Sequence, residues 1–180
     1  MNVAIIDVGT NSTNLLVQDS TGADLARVIA TTRLGDTLQQ LGTLSAEAIA
    51  RTVDTIASHI DVASSHNASR IVITGTAACR RASNAQQFFD AVHARTGITV
   101  EVLSEKDEAT FAFRGALTGL PELLAPTLVI DIGGGSTEYT VGVLDAEMSA
   151  SIPFGSVTGT ASHITTDRPR PEDLTNLIGA

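Results

Sequence analysis

The chain has 180 residues, enough for one medium domain or two small lobes. Its 43% hydrophobic content, with little aromatic residue and no stretch approaching the ~20 apolar residues of a membrane span, points to a packed globular core of Ala, Val, Ile and Leu. A net charge of −9 excludes a broad nucleic-acid face, yet ten of the 11 basic residues are arginine, whose planar fork suits phosphate.

Residues 3–7, 13–19 and 24–32 read as three strands joined by tight turns, with Thr21-Gly22 marking the second turn. Ser45 opens a helix with Glu47 in its first turn, and Ile49, Val53, Ile56 and Ile60 form its apolar stripe. Ile71 to Ile73 predict a short buried strand. Residues 85–95 predict a helix capped by Ser83 or Asn84, with Phe88, Phe89 and Val92 inside and Gly97 past its end. A strand at 100–103 follows, then a helix over 105–118 capped by Ser104, with Asp107 in the capping-box position. The order then restarts with strands at 127–132, 137–144 and 147–153, a helix near 156–164 and another from Pro171. Two lobes are expected, 1–122 and 126–180, joined near Pro121 to Pro126. The repeat predicts a second lobe as long as the first, so a fragment or shortened form is expected.

The restart is written into a duplicated phrase. Asp7-Val8-Gly9-Thr10-Asn11-Ser12-Thr13 and Asp131-Ile132-Gly133-Gly134-Gly135-Ser136-Thr137 share Asp, Gly, Ser and Thr at one separation (131 − 7 = 124). Each follows an apolar run and precedes another strand. An Asp at the carboxyl end of a buried strand stands at a cleft mouth in an α/β fold. Glycines after it permit positive φ and close backbone approach, and successive amides can cradle an anion. One copy alone reads as an ordinary hairpin; two suggest related lobes facing one phosphate ligand. A P-loop is excluded because neither turn carries lysine and both lead into strands, not helices. Charge balance then calls for arginine and a divalent cation, and Asp7, Asp131 and Glu138 are oxygen ligands suited to Mg²⁺.

Other segments are less specific. In Ser104-Glu105-Lys106-Asp107-Glu108, acids at a helix start favour the macrodipole, and one of them could accept a proton from an attacking water. Arg80 and Arg81 are adjacent, so they are not expected to share a direction. The four histidines show no metal spacing, and His59 and His93 are expected at the surface. Cys79 is expected to be a small buried side chain, and a lone cysteine suits a reducing cytoplasm.

Together these segments resemble the exopolyphosphatase / guanosine pentaphosphate phosphohydrolase (Ppx/GppA) family. The resemblance runs through Ile6 to Ser12, Arg33-Leu34-Gly35-Asp36, Leu44 to Ile49, Gly75 to Asn84, Val102 to Ala109, Val129 to Glu138 and Pro153 to Val157. It implies an α/β fold: a ribonuclease-H-like lobe of the actin and sugar-kinase superfamily, and the start of a second, incomplete lobe of that type. It also implies Mg²⁺-assisted release of terminal phosphate from inorganic polyphosphate, guanosine pentaphosphate (pppGpp) or both; composition, charge and the lone cysteine add the expectation of a cytoplasmic protein that engages neither nucleic acid nor membrane. By motif position Glu108 looks like the catalytic base and Asp131 like the Mg²⁺-associated carboxylate, with Asp7 and Glu138 as further acids. Gly9, Thr10, Asn11 and Ser12, with Gly133, Gly134, Gly135 and Ser136, fall on the phosphate-binding turns, and Arg80 on the phosphate-contacting arginine. Glu105 departs from the family pattern, where Gly is common, and Thr10 replaces the common Ser. The rival readings are an ATP-dependent kinase or ATPase of the same superfamily and a non-catalytic polyphosphate- or alarmone-binding fragment. Oligomeric state is left open, a homodimer included.

Overall fold

The structure is a computed structural model that describes residues 1–120 and 125–179. It contains two compact units, Met1–Leu103 and Ser104–Ala180. Most of the expected junction, 121–124, lies outside the described residues.

The first unit opens with β1 (Asn2–Val8), β2 (Ser12–Gln18) and β3 (Asp24–Thr31). It continues with α1 (Leu38–Leu41), α2 (Ala46–Ser65), β4 (Ala68–Gly75), α3 (Ala77–Arg81), α4 (Ala85–Thr96) and β5 (Val100–Val102). The sheet order is β3-β2-β1-β4-β5, with β1, β2 and β3 antiparallel and β1, β4 and β5 parallel. Period-two alternation sends Ala4, Ile6, Val8, Leu15 and Val17 to one face, which α2 covers. Phe88 and Val92 of α4 complete this core. Each fully buried Ile or Phe stabilises by about 1.5–3 kcal/mol.

Helix α2 begins as expected, with Ser45 Oγ accepting from the Ala48 amide. Its inner face is rotated from the expected stripe: Ala48, Thr52, Val53, Ile56, His59 and Ala63 are buried, while Ile49 and Ile60 are only partly so. His59 is therefore not a surface residue. It is 3% exposed, and its Nε2 lies 3.2 Å from the Thr13 carbonyl of β2. A polar residue on that face is tolerated because it finds a partner. His93 is exposed as expected.

Two one-turn helices, α1 and α3, escaped the sequence pattern because so short a segment shows no period. Asn84 precedes α4 but makes no side-chain cap. Its amide instead binds the backbone of Leu44 at both N–H (2.8 Å) and carbonyl (3.0 Å).

The second unit holds α5 (Glu105–Leu117), β6 (Thr127–Ile132), β7 (Thr137–Gly142), β8 (Ala146–Ile152), α6 (Ser156–His163) and α7 (Pro171–Ile178). Its antiparallel sheet runs β6-β7-β8, and α5 packs against all three strands. Grouping α5 with the second unit is a division by contact; the boundary expected at 122 is a division by repeat. Arg114 of α5 donates to both carboxylate oxygens of Asp145 (3.0 and 2.7 Å). Among the described residues no helix is long and apolar enough to cross a membrane.

Candidate phosphate-binding turns and acidic residues

The duplicated phrase folds the same way twice. The Gly9 amide donates to the Ser12 carbonyl and the Gly133 amide to the Ser136 carbonyl, both at 2.9 Å. Neither Gly9 nor Gly133 takes a positive φ, so close approach is what favours glycine there. A Cβ at Gly9 would lie 3.3 Å from Ser12 O, and one at Gly133 3.2 Å from Ser136 O.

The carbonyls of both turns are tied back into the protein. Asn11 O accepts from the amides of Thr32 and Arg33, and Thr10 O from Gly35. In the second unit Gly133 O accepts from Ser156, and Gly134 O from Val157 and Thr158. In a trans peptide the C=O and the following N–H point opposite ways. Anchoring these carbonyls therefore turns the amides of Asn11, Ser12 and Gly134 away from the anchoring segment. Such turned-out amides suit an anion. The second anchor depends on Gly155, which sequence reasoning did not single out. A Cβ there would lie 2.6 Å from both Gly133 O and Gly134 C.

The hydroxyls differ in access. Thr10 is buried, and a Cβ at Gly35 would lie 2.5 Å from its methyl. Ser12 and Asn11 are half-buried, while Gly135 and Ser136 are buried.

The acids occupy matching register positions. Asp7 faces Asn14 across β1 and β2, and Asp131 faces Glu138 across β6 and β7. Asp7 is half-buried and accepts from Thr74 Oγ1 at 3.1 Å. Asp131 is exposed, whereas Glu138 is 2% exposed and accepts from Ser151 Oγ at 2.9 Å. Asn14 was missed, although the 124-residue separation pairs it with Glu138. Its Oδ1 is buried without a hydrogen-bond partner, beside a pocket of about 300 Å³ lined in part by Asp7, Asn14, Arg27 and Ile29. Among the described residues no group of three or more His, Cys, Asp or Glu could hold a metal ion.

The carboxyl ends of the parallel strands gather the remaining first-unit residues. The Thr76 amide donates to Val8 O, hanging α3 from the end of β1. Half-buried Arg80 of α3 donates through Nη1 to Leu103 O at 2.9 Å, while Arg81 is exposed. Cys79 is buried, and burial, with the negative charge of Asp7 adding to it, pushes its thiol up to about 12. A group so hard to ionise is no nucleophile.

In the second unit Ser104 caps α5, accepting from the Asp107 amide and donating its hydroxyl to the Asp107 carboxylate at 2.7 Å. That engages Asp107 at the cap. Glu108, one residue on, is half-buried, and Glu105 is exposed.

The family model described as Ppx/GppA phosphatase family matches residues 6–179. "Exopolyphosphatase 2" of Mycobacterium tuberculosis is 35% identical over 96% of this chain and 58% of its own length. "Guanosine-5'-triphosphate,3'-diphosphate pyrophosphatase" of Vibrio cholerae is 30% identical over 97% of this chain and 36% of its own. The crystal structure of an exopolyphosphatase from Cytophaga hutchinsonii superposes with a TM-score of 0.90 at 28% identity, covering 98% of this chain and 58% of that one. The chain thus spans well under two thirds of these relatives' length. The α/β actin-like fold class expected from the sequence stands with these matches. The chain belongs to the Ppx/GppA phosphatase family.

Proposed function

We propose that this chain acts in the release of terminal phosphate from inorganic polyphosphate, guanosine pentaphosphate or both, in the cytoplasm. The observation that carries the reading is the repeated turn with its carbonyls held back, from which the planar trans peptide directs the following amides the other way. Family membership and the names of the relatives support the same chemistry.

In this reading Gly9 to Ser12, Gly133 to Ser136 and Arg80 bind substrate phosphate. Glu108 accepts the proton of a water whose oxygen bonds the terminal phosphorus as the anhydride P–O bond breaks and the shortened chain leaves. This reading assigns Asp131, Glu138 and Asp7 to Mg²⁺; Asp131 and Glu138 are cross-strand neighbours, and this ion commonly takes one or two carboxylates together with substrate phosphates. Asp131, the most open of the three, would be its principal ligand. When bound, the ion would offset charge on the phosphates.

The test is phosphate release from polyphosphate and from guanosine pentaphosphate side by side, with and without Mg²⁺. Glu108→Ala should lower turnover about 10²–10⁴-fold. A Glu108→Ala protein as fast as wild type would remove Glu108 from its role. ADP formed from ATP and a sugar or carboxylate acceptor, with neither polyanion hydrolysed, would replace the phosphohydrolase with a kinase.

A further inference from the structure

Among the described residues, two that are not glycine take a positive φ: Asn67 at +55° and Arg33 at +50°. Asn67 lies just past the end of α2, and asparagine enters the left-handed region readily. Arginine does not, because its Cβ is crowded there. Glycine would take the same conformation without that cost. A strained residue persists where its surroundings enforce it, and such residues gather at ligand sites.

The surroundings of Arg33 are the first turn. Its amide donates to Asn11 O at 2.8 Å, and flanking Thr32 and Gly35 donate to Asn11 O and Thr10 O. The segment is also held from α2. Arg51 donates through Nε to Thr32 O at 2.6 Å, and its Nη2 lies 3.5 Å from Asp36 Oδ2. The Asp36 amide donates back to Arg33 O, closing the loop. Leu34 and Gly35 are buried, so Arg33 is the cation that this loop presents to water. Among the described residues no carboxylate pairs with the Arg33 side chain; Asp36, the acid nearest along the loop, is engaged by Arg51. The turn itself carries Asp7 at its head and no basic residue from there to Thr13, so a phosphate bound to it needs a cation from a neighbouring segment.

We propose, building on the phosphohydrolase reading, that Arg33 is a phosphate-binding residue of this site. The turn amides point away from the Arg33 segment, so its guanidinium does not share the oxygen they hold. It passes the edge of the turn and takes the adjoining phosphate of the same polyanion through a charge-assisted fork. The strained backbone is retained because glycine, which would relieve it, carries no such group.

The test is isothermal titration of the chain with short-chain inorganic polyphosphate and, separately, with guanosine pentaphosphate, alongside thermal unfolding. Arg33→Gly should weaken binding by about tenfold or more, while the melting temperature holds or rises as the backbone relaxes. Arg33→Lys keeps the charge without the planar fork and should fall between. Exposed Arg70 pairs with Val3 at the far end of β1, so Arg70→Gln removes the same charge away from the turn and should leave affinity unchanged. Loss for both ligands puts Arg33 on a phosphate that they share; loss for one alone names that ligand as the source. Arg33→Gly binding as tightly as wild type, a loss no greater than that of Arg70→Gln, or a loss joined to a fall in melting temperature would overturn the proposal. Wild type that binds neither polyanion would remove the phosphohydrolase reading with it, whereas binding indifferent to Arg33 removes this residue alone.

Discussion

Replacing Gly155 with alanine tests the built second turn directly. Its φ of −140° suits any residue, so no backbone strain enters. The obstacle is space: the new Cβ would lie 2.6 Å from Gly133 O, 2.6 Å from Gly134 C and 2.7 Å from Gly134 O. These are backbone atoms, which cannot rotate aside, so the turn must shift by most of an ångström to reach ordinary contact at 3.4 Å. Overpacking of this kind costs about 1–3 kcal/mol. The shift also strains the bonds from Ser156 N to Gly133 O and Val157 N to Gly134 O, both 2.9 Å, each worth about 1 kcal/mol. The total expected is about 2–5 kcal/mol, a large share of a typical domain's stability. Urea unfolding measures it, and isothermal titration with short-chain polyphosphate should show weaker binding in the same variant. Gly115→Ala is the control: this helical glycine has nothing within 4 Å of its would-be Cβ, so alanine should stabilise by up to about 1 kcal/mol. A Gly155→Ala protein within about 0.5 kcal/mol of wild type, the range of an inert surface change, would refute the tied-back turn.

Other outcomes follow from single groups. Cys79, pushed up to about 12, should resist alkylation at pH 8 in the folded protein and react only on unfolding, followed by mass spectrometry. Its folded value lies above its unfolded one near 9.0, so above that pH the unfolded chain holds fewer protons and stability falls as pH rises towards 12. That part of the alkaline loss should be missing from urea unfolding of Cys79→Ala. Gly75→Ala would bring a Cβ within 2.6 Å of Cys79 Sγ and 3.1 Å of its Cβ, and should destabilise by about 1–3 kcal/mol in the same assay. Asp173 is held below the usual carboxylate range by the Arg170 amide first and then by the Thr165 hydroxyl. The contribution of this group to holding α7 is present above pH 3.8 and lost as pH falls below it, so hydrogen exchange in α7 should quicken on acidification and in Asp173→Asn at neutral pH. Equal exchange in Asp173→Asn and wild type would remove Asp173 from that role.

What the sequence determined by itself is local. The order of strands and helices, the Ser45 and Ser104 caps and the duplicated turn could be read because each depends on residues a few positions apart. The Gly9 to Ser12 bond and its copy at Gly133 to Ser136 close within three residues. Tertiary structure decided what depends on partners far along the chain. His59 is buried because β2 offers the Thr13 carbonyl 46 residues away. Glu138 is enclosed and bonded to Ser151, while Asp131, its cross-strand neighbour, stays open, although both are acids seven positions apart around the same turn. Glycine at Gly9 and Gly133 serves close approach and not positive φ, a distinction invisible without neighbouring atoms. Ala4, Ile6 and Val8 of β1 lie buried beneath α2 while Ile130 and Ile132 of β6 are exposed, because the alternation of a strand records which residues share a face and not what packs on it.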